Sequence, residues 1–297
     1  MANVYGINRR NRDLVLALNT PKAIALANDK IACKQALAGH GIRTPEIIAS
    51  VRAAAETPRL LPLLMRQEGG FVVKPSRGAQ GRGVMIFAGA SGDGVVPQHG
   101  KPMRLKEFAF FIASIISGEY TAGRPIDVAL IEERIRPDGA WILPDLPGAP
   151  DLRIIVHCGS PVLCMARLPT AGSRGRANLH QGAVGLGIDI GTARSVHATW
   201  EGKPVLRHPD TGHPLHGLVV EGLDECLDLS RRCAVAAPLG YMGVDIMRDR
   251  RKGPCVIEVN ARPGLAIQLA NRKGIGLALA QSNGASVRND LSSPYGT

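Results

Sequence analysis

Hydrophobic and polar positions alternate along this chain in two rhythms, and the changes of rhythm mark its elements. Thr20-Pro21 reads as a helix cap followed by proline in the first turn, and Ala23, Ala27, Ile31 and Leu37 keep a helical spacing as far as Gly39-His40-Gly41. Lys30 and Lys34 stand four apart and share one face of that helix. Ahead of it, the polar cluster 8–12 and the apolar stretch 14–18 predict an arm or a short helix. A short strand at 47–49 is followed by a helix-like region to Arg66, interrupted by Pro58 and Pro62 and ended by Gly69-Gly70. Strands are predicted at 71–75 and 84–87, joined by a glycine-rich turn over 76–83, which makes a hairpin with a long tip. The stretch 88–103 reads as a loop and 105–116 as a helix. Then come a strand at 128–133, a meander of strands at 152–157, 161–168 and 183–188, a helix over 223–237, and paired strands at 241–248 and 255–259. Residues after Ser282 are polar and predict a frayed end.

Within this pattern, some polar residues stand where the rhythm calls for apolar ones. The hairpin tip reads Lys74-Pro75-Ser76-Arg77-Gly78-Ala79-Gln80-Gly81-Arg82-Gly83. Glycines at 78, 81 and 83 let backbone N–H groups close on phosphate oxygens without a Cβ in the way, while Lys74 and the arginines add positive charge. No Gly-Lys-Ser/Thr follows and the turn leads into a strand, so this is neither a P-loop nor a dinucleotide fingerprint. A merely flexible hairpin tip is the plain alternative.

Asp245, Glu258 and Asn260 interrupt the two apolar strands near the C-terminal end. On adjacent antiparallel strands they project to one side, offering two carboxylates and an amide of the kind magnesium prefers. A satisfied buried polar network is the competing explanation. Arg153 and Arg167 fall on consecutive strands and can take a carboxylate or acyl phosphate by forked hydrogen bonds, although each arginine alone reads as a surface residue. His180, in Asn178-Leu179-His180-Gln181-Gly182, is by itself a structural histidine before it is a catalytic one.

Composition narrows the classes. The 297 residues suffice for a substantial core, either in two modest domains or in one large α/β unit. A net charge of +11 favours anionic partners. Aromatic residues are only 4 % with no aromatic-studded basic strand, which argues against nucleic acid and for a nucleotide with a negatively charged substrate. The six cysteines form no C-x-x-C pair and several lie in apolar runs, as core residues would. With no leader-like start and no membrane-length apolar run, the expected compartment is the cytoplasm.

In this order the motifs resemble the ATP-grasp superfamily, and within it the branch related to α-L-glutamate ligases, similar to the ligases that modify ribosomal proteins. The resemblance runs over 19–276 and is closest at Asp151-Leu152-Arg153, at 178–182, and at Glu258-Val259-Asn260-Ala261-Arg262-Pro263-Gly264. Asn28-Asp29-Lys30 and the arm at 8–11 fit the same branch. It implies an α+β, ATP-grasp fold of two α/β lobes whose antiparallel sheets grip ATP. The expected division is an N-terminal arm at 1–29, a small lobe with the glycine-rich loop at 30–130, a large lobe with the metal and acceptor site at 131–282, and a flexible tail at 283–297. Only 29 residues precede Lys30, where the family has a sizeable α/β domain. The substrate-side wall is therefore expected to be reduced, missing or completed by another chain, in a homo-oligomer or with a partner.

By the same resemblance, Lys30 and Lys74 would contact the ATP phosphates and purine edge, and Ser76, Arg77, Gly78, Gly81 and Gly83 would fold over the triphosphate. Glu132, Glu133 and Ile135 would lead into the hinge that holds adenine and ribose. Asp245, Glu258 and Asn260 would hold two Mg2+ ions, for which Mn2+ can substitute. Arg153, Arg167, Asn178 and Arg262 would face the acyl phosphate or the acceptor. The implied activity is ATP-dependent carboxylate–amine ligation through an acyl phosphate, releasing ADP and phosphate. It would join a small amino acid, glutamate or a relative, to a carboxylate or peptide acceptor. A catalytically weak ATP-binding regulatory or scaffold subunit and a kinase-like phosphotransfer enzyme are the alternatives.

Overall fold

A computed structural model describes residues 3–78, 81–121, 126–138 and 141–290, with side chains through 282. Contacts divide the chain into two units, one of Asn28–Ala38 and Arg43–Arg136, the other of Met1–Ala27, Gly39–Ile42 and Pro137–Thr297. The chain opens with α1 (Ile7–Arg10), which runs on as a π-helical stretch Asn11–Leu16, then α2 (Pro21–Ala27) and α3 (Lys30–Gly39). The sequence pattern predicts one helix across α2 and α3, but the structure breaks it at Asn28-Asp29. Asp29 Oδ1 accepts the backbone N–H groups of Ile31 and Ala32 at 3.2 Å each, so a side-chain cap starts α3 afresh.

The unit centred on 43–136 contains β1 (Ile47–Val51), α4 (Thr57–Met65), β2 (Phe71–Pro75), β3 (Met85–Ser91), β4 (Gly94–Pro97), β5 (Met103–Arg104), α5 (Leu105–Ile116) and β6 (Ala129–Glu133). Its strands form a six-stranded antiparallel sheet in the order β1-β6-β2-β3-β4-β5. The predicted loop over 88–103 is instead the end of β3, a tight turn with Gly92 at φ 58°, and two short strands. One sheet face carries Phe71, Val73 and Phe87, packed under Phe108, Phe111 and Ile112 of α5 with Leu60 and Leu64 of α4. Phe71 stacks on Phe87 at 4.8 Å, and Phe108 meets Phe87 edge-on at 5.4 Å. Because strand side chains alternate, this packing sends Lys74 and Glu132 to the opposite face.

The second unit continues with β7 (Asp151–His157), β8 (Ser160–Leu168), β9 (Val184–Asp189), β10 (Arg194–Trp200), β11 (Lys203–Pro204), α6 (Leu223–Ala236), β12 (Tyr241–Asp249), β13 (Gly253–Asn260), α7 (Ala266–Ala270) and α8 (Ile275–Asp290). The sheet is seven-stranded and antiparallel, ordered β11-β10-β9-β8-β7-β12-β13. Its β10–β11 end was not evident from the sequence pattern. Helix α6 covers one face, with Cys226 beside Cys164. On the other, Leu14 and Val15 pack with Ile155, Met165 and Tyr241 against Ile267 and Ile275. Helix α8 extends into the segment expected as a tail, and 291–297 lie outside the described residues. Five of the six cysteines are buried, Cys158 being exposed, and all are free. Among the described residues no helix is long and apolar enough to cross a membrane.

The aromatic layer backs the strand that carries Lys74. Phe108→Ala is expected to cost about 3–5 kcal/mol through the cavity left against Phe71 and Phe87, read as a lower urea midpoint with unchanged slope.

Candidate active site

Two sets of charged side chains lie on sheet faces, one in each unit. In the first, Glu132 of β6 is buried between two lysines, with Lys74 Nζ of β2 at 2.5 Å and Lys34 Nζ of α3 at 2.7 Å. All three are at most 5 % exposed. Burial alone would push the Glu132 carboxyl up, but Lys74 and Lys34 outweigh it and hold it below the usual carboxylate range. Glu132 thus orients lysines. The neighbouring Glu133 accepts the backbone N–H of Glu46 at 3.4 Å, and Ile135 is buried after the strand ends. Lys34 escaped the sequence reading as a site residue; its four-residue offset from Lys30 was the available signal.

The root of the glycine-rich turn is tied to the start of α3. The Lys30 N–H donates to Ser76 O at 3.0 Å, and Lys30 Nζ to Gly78 O at 2.6 Å. Asp29 accepts Ser76 Oγ at 3.1 Å and the Arg77 fork at 3.2 and 2.9 Å. Asp127, itself buried, accepts the Arg77 N–H at 3.1 Å. Gly83 has φ 68°, and a Cβ there would lie 2.5 Å from the Tyr120 ring, so only glycine fits. Gly78 and Gly81 flank 79–80, which lie outside the described residues. The contacts at Asp29 and Asp127 join residues about 50 positions apart, and nothing in the local pattern announces them.

In the second unit, charged residues cross three neighbouring strands as a ladder. Arg153 on β7 grips Asp245 on β12 with two bonds of 2.8 and 2.7 Å. Arg167 on β8 grips Asp151 on β7 through two bonds of 2.6 and 2.5 Å and reaches Asp245 at 2.9 Å. Burial raises Asp245 and the two guanidiniums lower it, with the guanidiniums prevailing; burial pushes Asp151 up to about 6 against the pull of Arg167. Two guanidiniums meet two carboxylates, so the ladder is internally neutral.

Glu258 stands opposite Asp245 in register and Asn260 opposite Gly243. A bulge between Asp245 and Ile246 lets Val256 face Ile246 while Glu258 faces Asp245. Asn260 Nδ2 donates to Asp245 Oδ2 at 3.3 Å. The three residues predicted as metal ligands therefore share a face, but Asp245 is committed to arginines. Among the described residues no three His, Cys, Asp or Glu side chains gather as a metal site. The chemistry of the donor set fits magnesium at the Glu258 carboxylate and the Asn260 amide oxygen, and at Asp245 only if a guanidinium contact is exchanged. Arginines expected to face substrate thus hold protein carboxylates. Asn178 caps a short 3₁₀ turn by accepting the His180 N–H at 2.9 Å, and Arg262 is exposed.

The two antiparallel sheets with their covering helices form an ATP-grasp fold. A family profile described as sugar-transfer associated ATP-grasp matches residues 9–283, and the chain belongs to that family. It is similar to a probable alpha-L-glutamate ligase of Aeromonas salmonicida, 28 % identical over 263 residues covering 88 % of this chain and 65 % of the relative. A protein of the same description from Xanthomonas axonopodis pv. citri is 29 % identical over 83 % of this chain and 61 % of its own length. The chain thus spans less than two thirds of each of these two relatives. In fold it is similar to a biotin carboxylase–β-γ-ATP complex from Campylobacter jejuni (TM-score 0.53, 16 % identity, 91 % of this chain and 50 % of that one). It is similar too to D-alanyl-alanine synthetase A from Vibrio cholerae O1 (TM-score 0.50, 13 % identity, 91 % and 67 %).

Glu132→Gln leaves two buried ammonium groups without their carboxylate and is expected to cost about 3–5 kcal/mol. The pKa of Glu132 is depressed, so its contribution is complete above the ordinary glutamate range and fades as pH falls through the lowered value. The stability gap between wild type and variant, followed by denaturant titration at several pH values, is therefore expected to close only in strong acid.

Proposed function

We propose that the chain is an ATP-dependent carboxylate–amine ligase. The observation that carries this reading is the ladder: paired guanidiniums on Asp245 and Asp151, with Glu258 and Asn260 on the same face. Such a face sets guanidinium forks, each engaged with a protein carboxylate it would have to exchange, beside hard oxygen ligands, the mixture that phosphoryl transfer onto a carboxylate requires. Membership of the ATP-grasp family and the names of the similar proteins support the same reaction class.

A carboxylate is a poor acylating agent, because expelling oxide is prohibitive. In the proposed reaction a substrate carboxylate oxygen attacks the γ-phosphorus of ATP, and ADP leaves. The amine nitrogen then attacks the acyl carbon of the acyl phosphate; phosphate departs and the nitrogen gives up its proton. Lys34 and Lys74, held by Glu132, bind phosphate oxygens, and the Ser76–Gly83 turn covers them with backbone N–H groups. Arg153 and Arg167, on exchanging a contact with Asp245 or Asp151, orient the carboxylate and stabilise charge on the tetrahedral oxyanion. Glu258 and Asn260 would hold magnesium, with Asp245 joining them if an arginine contact were exchanged, and the ion would supply neutralisation of charge on the phosphates. The amino donor is glutamate or a related amino acid.

The reaction is checked by magnesium-dependent release of ADP and phosphate that needs both an amino acid and an acceptor, with mass spectrometry of the product. Glu258→Gln is expected to lower kcat on the order of a hundredfold, the scale of losing one charge-stabilising group. AMP as product, or unchanged turnover in that variant, would sink the assignment. Nucleotide binding without turnover across amino-acid panels would instead identify a regulatory module.

A further inference from the structure

Arg10 of α1 is only 7 % exposed, yet no carboxylate pairs with it among the described residues. Its Nη1 donates to Pro263 O at 2.6 Å, while its Nε is buried without a hydrogen-bond partner. Tyr241, the first residue of β12, is fully buried, and its Oη also lacks a partner. Asn19 fixes the Tyr241 backbone at both ends, accepting its N–H at 2.9 Å and donating to its carbonyl at 2.7 Å.

These groups meet at one end of the ladder. Tyr241, Gly243 and Asp245 alternate along the face of β12 that also presents Arg153 and Ile155. Pro263 lies against Gly243, where a Cβ would be 2.7 Å away, and a Cβ on Gly264 would be 3.8 Å from Arg153 Nη1. Arg10 lies within electrostatic reach of Tyr241 and Arg262, and Tyr241 within reach of Arg153.

Two buried donors without an acceptor call for one. Arg153 is neutralised by Asp245, whereas Arg10 and Arg262 leave a positive surplus, so the missing acceptor is an oxyanion. We propose that Arg10 and Tyr241 form a carboxylate-binding subsite, in which Arg10 Nε–H and Tyr241 Oη–H each donate to one carboxylate oxygen. The apolar neighbours Leu14, Ile155 and Ile267 favour a small monoanion over a phosphate dianion, whose burial costs more. Burial pushes the Tyr241 hydroxyl up to about 12, which keeps it a donor at neutral pH. That the anion is the amino-acid substrate rests on the ligase reading; the anion subsite itself does not.

The test uses the full chain, with acetate, L-glutamate and inorganic phosphate titrated by calorimetry and thermal shift at constant ionic strength. A non-hydrolysable ATP analogue with magnesium is titrated in parallel. L-glutamate is expected to bind wild type. Tyr241→Phe is expected to leave the unliganded Tm unchanged or higher, since Oη bonds nothing in the protein, while weakening L-glutamate at least tenfold and leaving the ATP analogue unaffected. Arg10→Lys, which keeps the charge but loses the Nε geometry, is expected to weaken L-glutamate similarly. A lower unliganded Tm in Tyr241→Phe, carboxylate binding equal in wild type and variants, binding of phosphate alone, or no binding of either carboxylate each overturns the subsite. Failure of wild type to bind the ATP analogue would defeat the ligase reading and leave the carboxylate titration to decide this one.

Discussion

Charge buried on a sheet face has to be compensated within a few ångströms, and both units are arranged around that demand. Removing an ion from water costs several kcal/mol unless partners replace the lost solvation. Glu132 meets the demand for two lysines at once, and Asp245 is the point where two arginines converge. Each charged face is affordable because the opposite face is thoroughly apolar: the phenylalanine layer beneath β2 and β3, and α6 against β7, β8, β12 and β13. The same packing removes freedom from the charged side chains, because strand alternation ties where Lys74 points to where Val73 is buried.

Much of this was legible in the chain, and the parts that were not have physical reasons. Apart from β4, β5, β10 and β11, the strands of both sheets announced themselves by apolar runs, and Asp245, Glu258 and Asn260 by interrupting them. Counting alternation from Val256 would have assigned Glu258 to the same face as Val256; the bulge reverses that, and a bulge leaves no mark in composition. Strands β4 and β5 were hidden because they are short and sit among glycines and polar residues, where a loop reads equally well. The helix break at Asn28-Asp29 was concealed by an uninterrupted spacing of alanine and isoleucine, and only the Asp29 cap reveals it.

Individual roles were harder to read than the face they occupy. Which partner a buried arginine takes depends on register across strands, so Arg153 and Arg167 could be recognised as forks but not as the forks of Asp245 and Asp151. Lys34 became part of the site only when β6 brought Glu132 within 2.7 Å. The N-terminal arm, plain in sequence, acquires significance through Asn19 and Arg10, which fasten it to Tyr241 and Pro263.

The neutrality of the Asp151–Arg167–Asp245–Arg153 ladder has a thermodynamic consequence. On the proposed ligase reading, a cation arriving alone would find its carboxylate already spoken for, and an anion arriving alone would find its guanidiniums engaged. Were both to arrive together, each would take the partner the other releases, so neither would strand a naked ion. Such reciprocal trading would make the two associations synergistic, and linkage would require the enhancement to be equal in either order of addition. A face that is neutral at rest would then respond to coincidence, rewarding the simultaneous presence of opposite charges over an abundance of either.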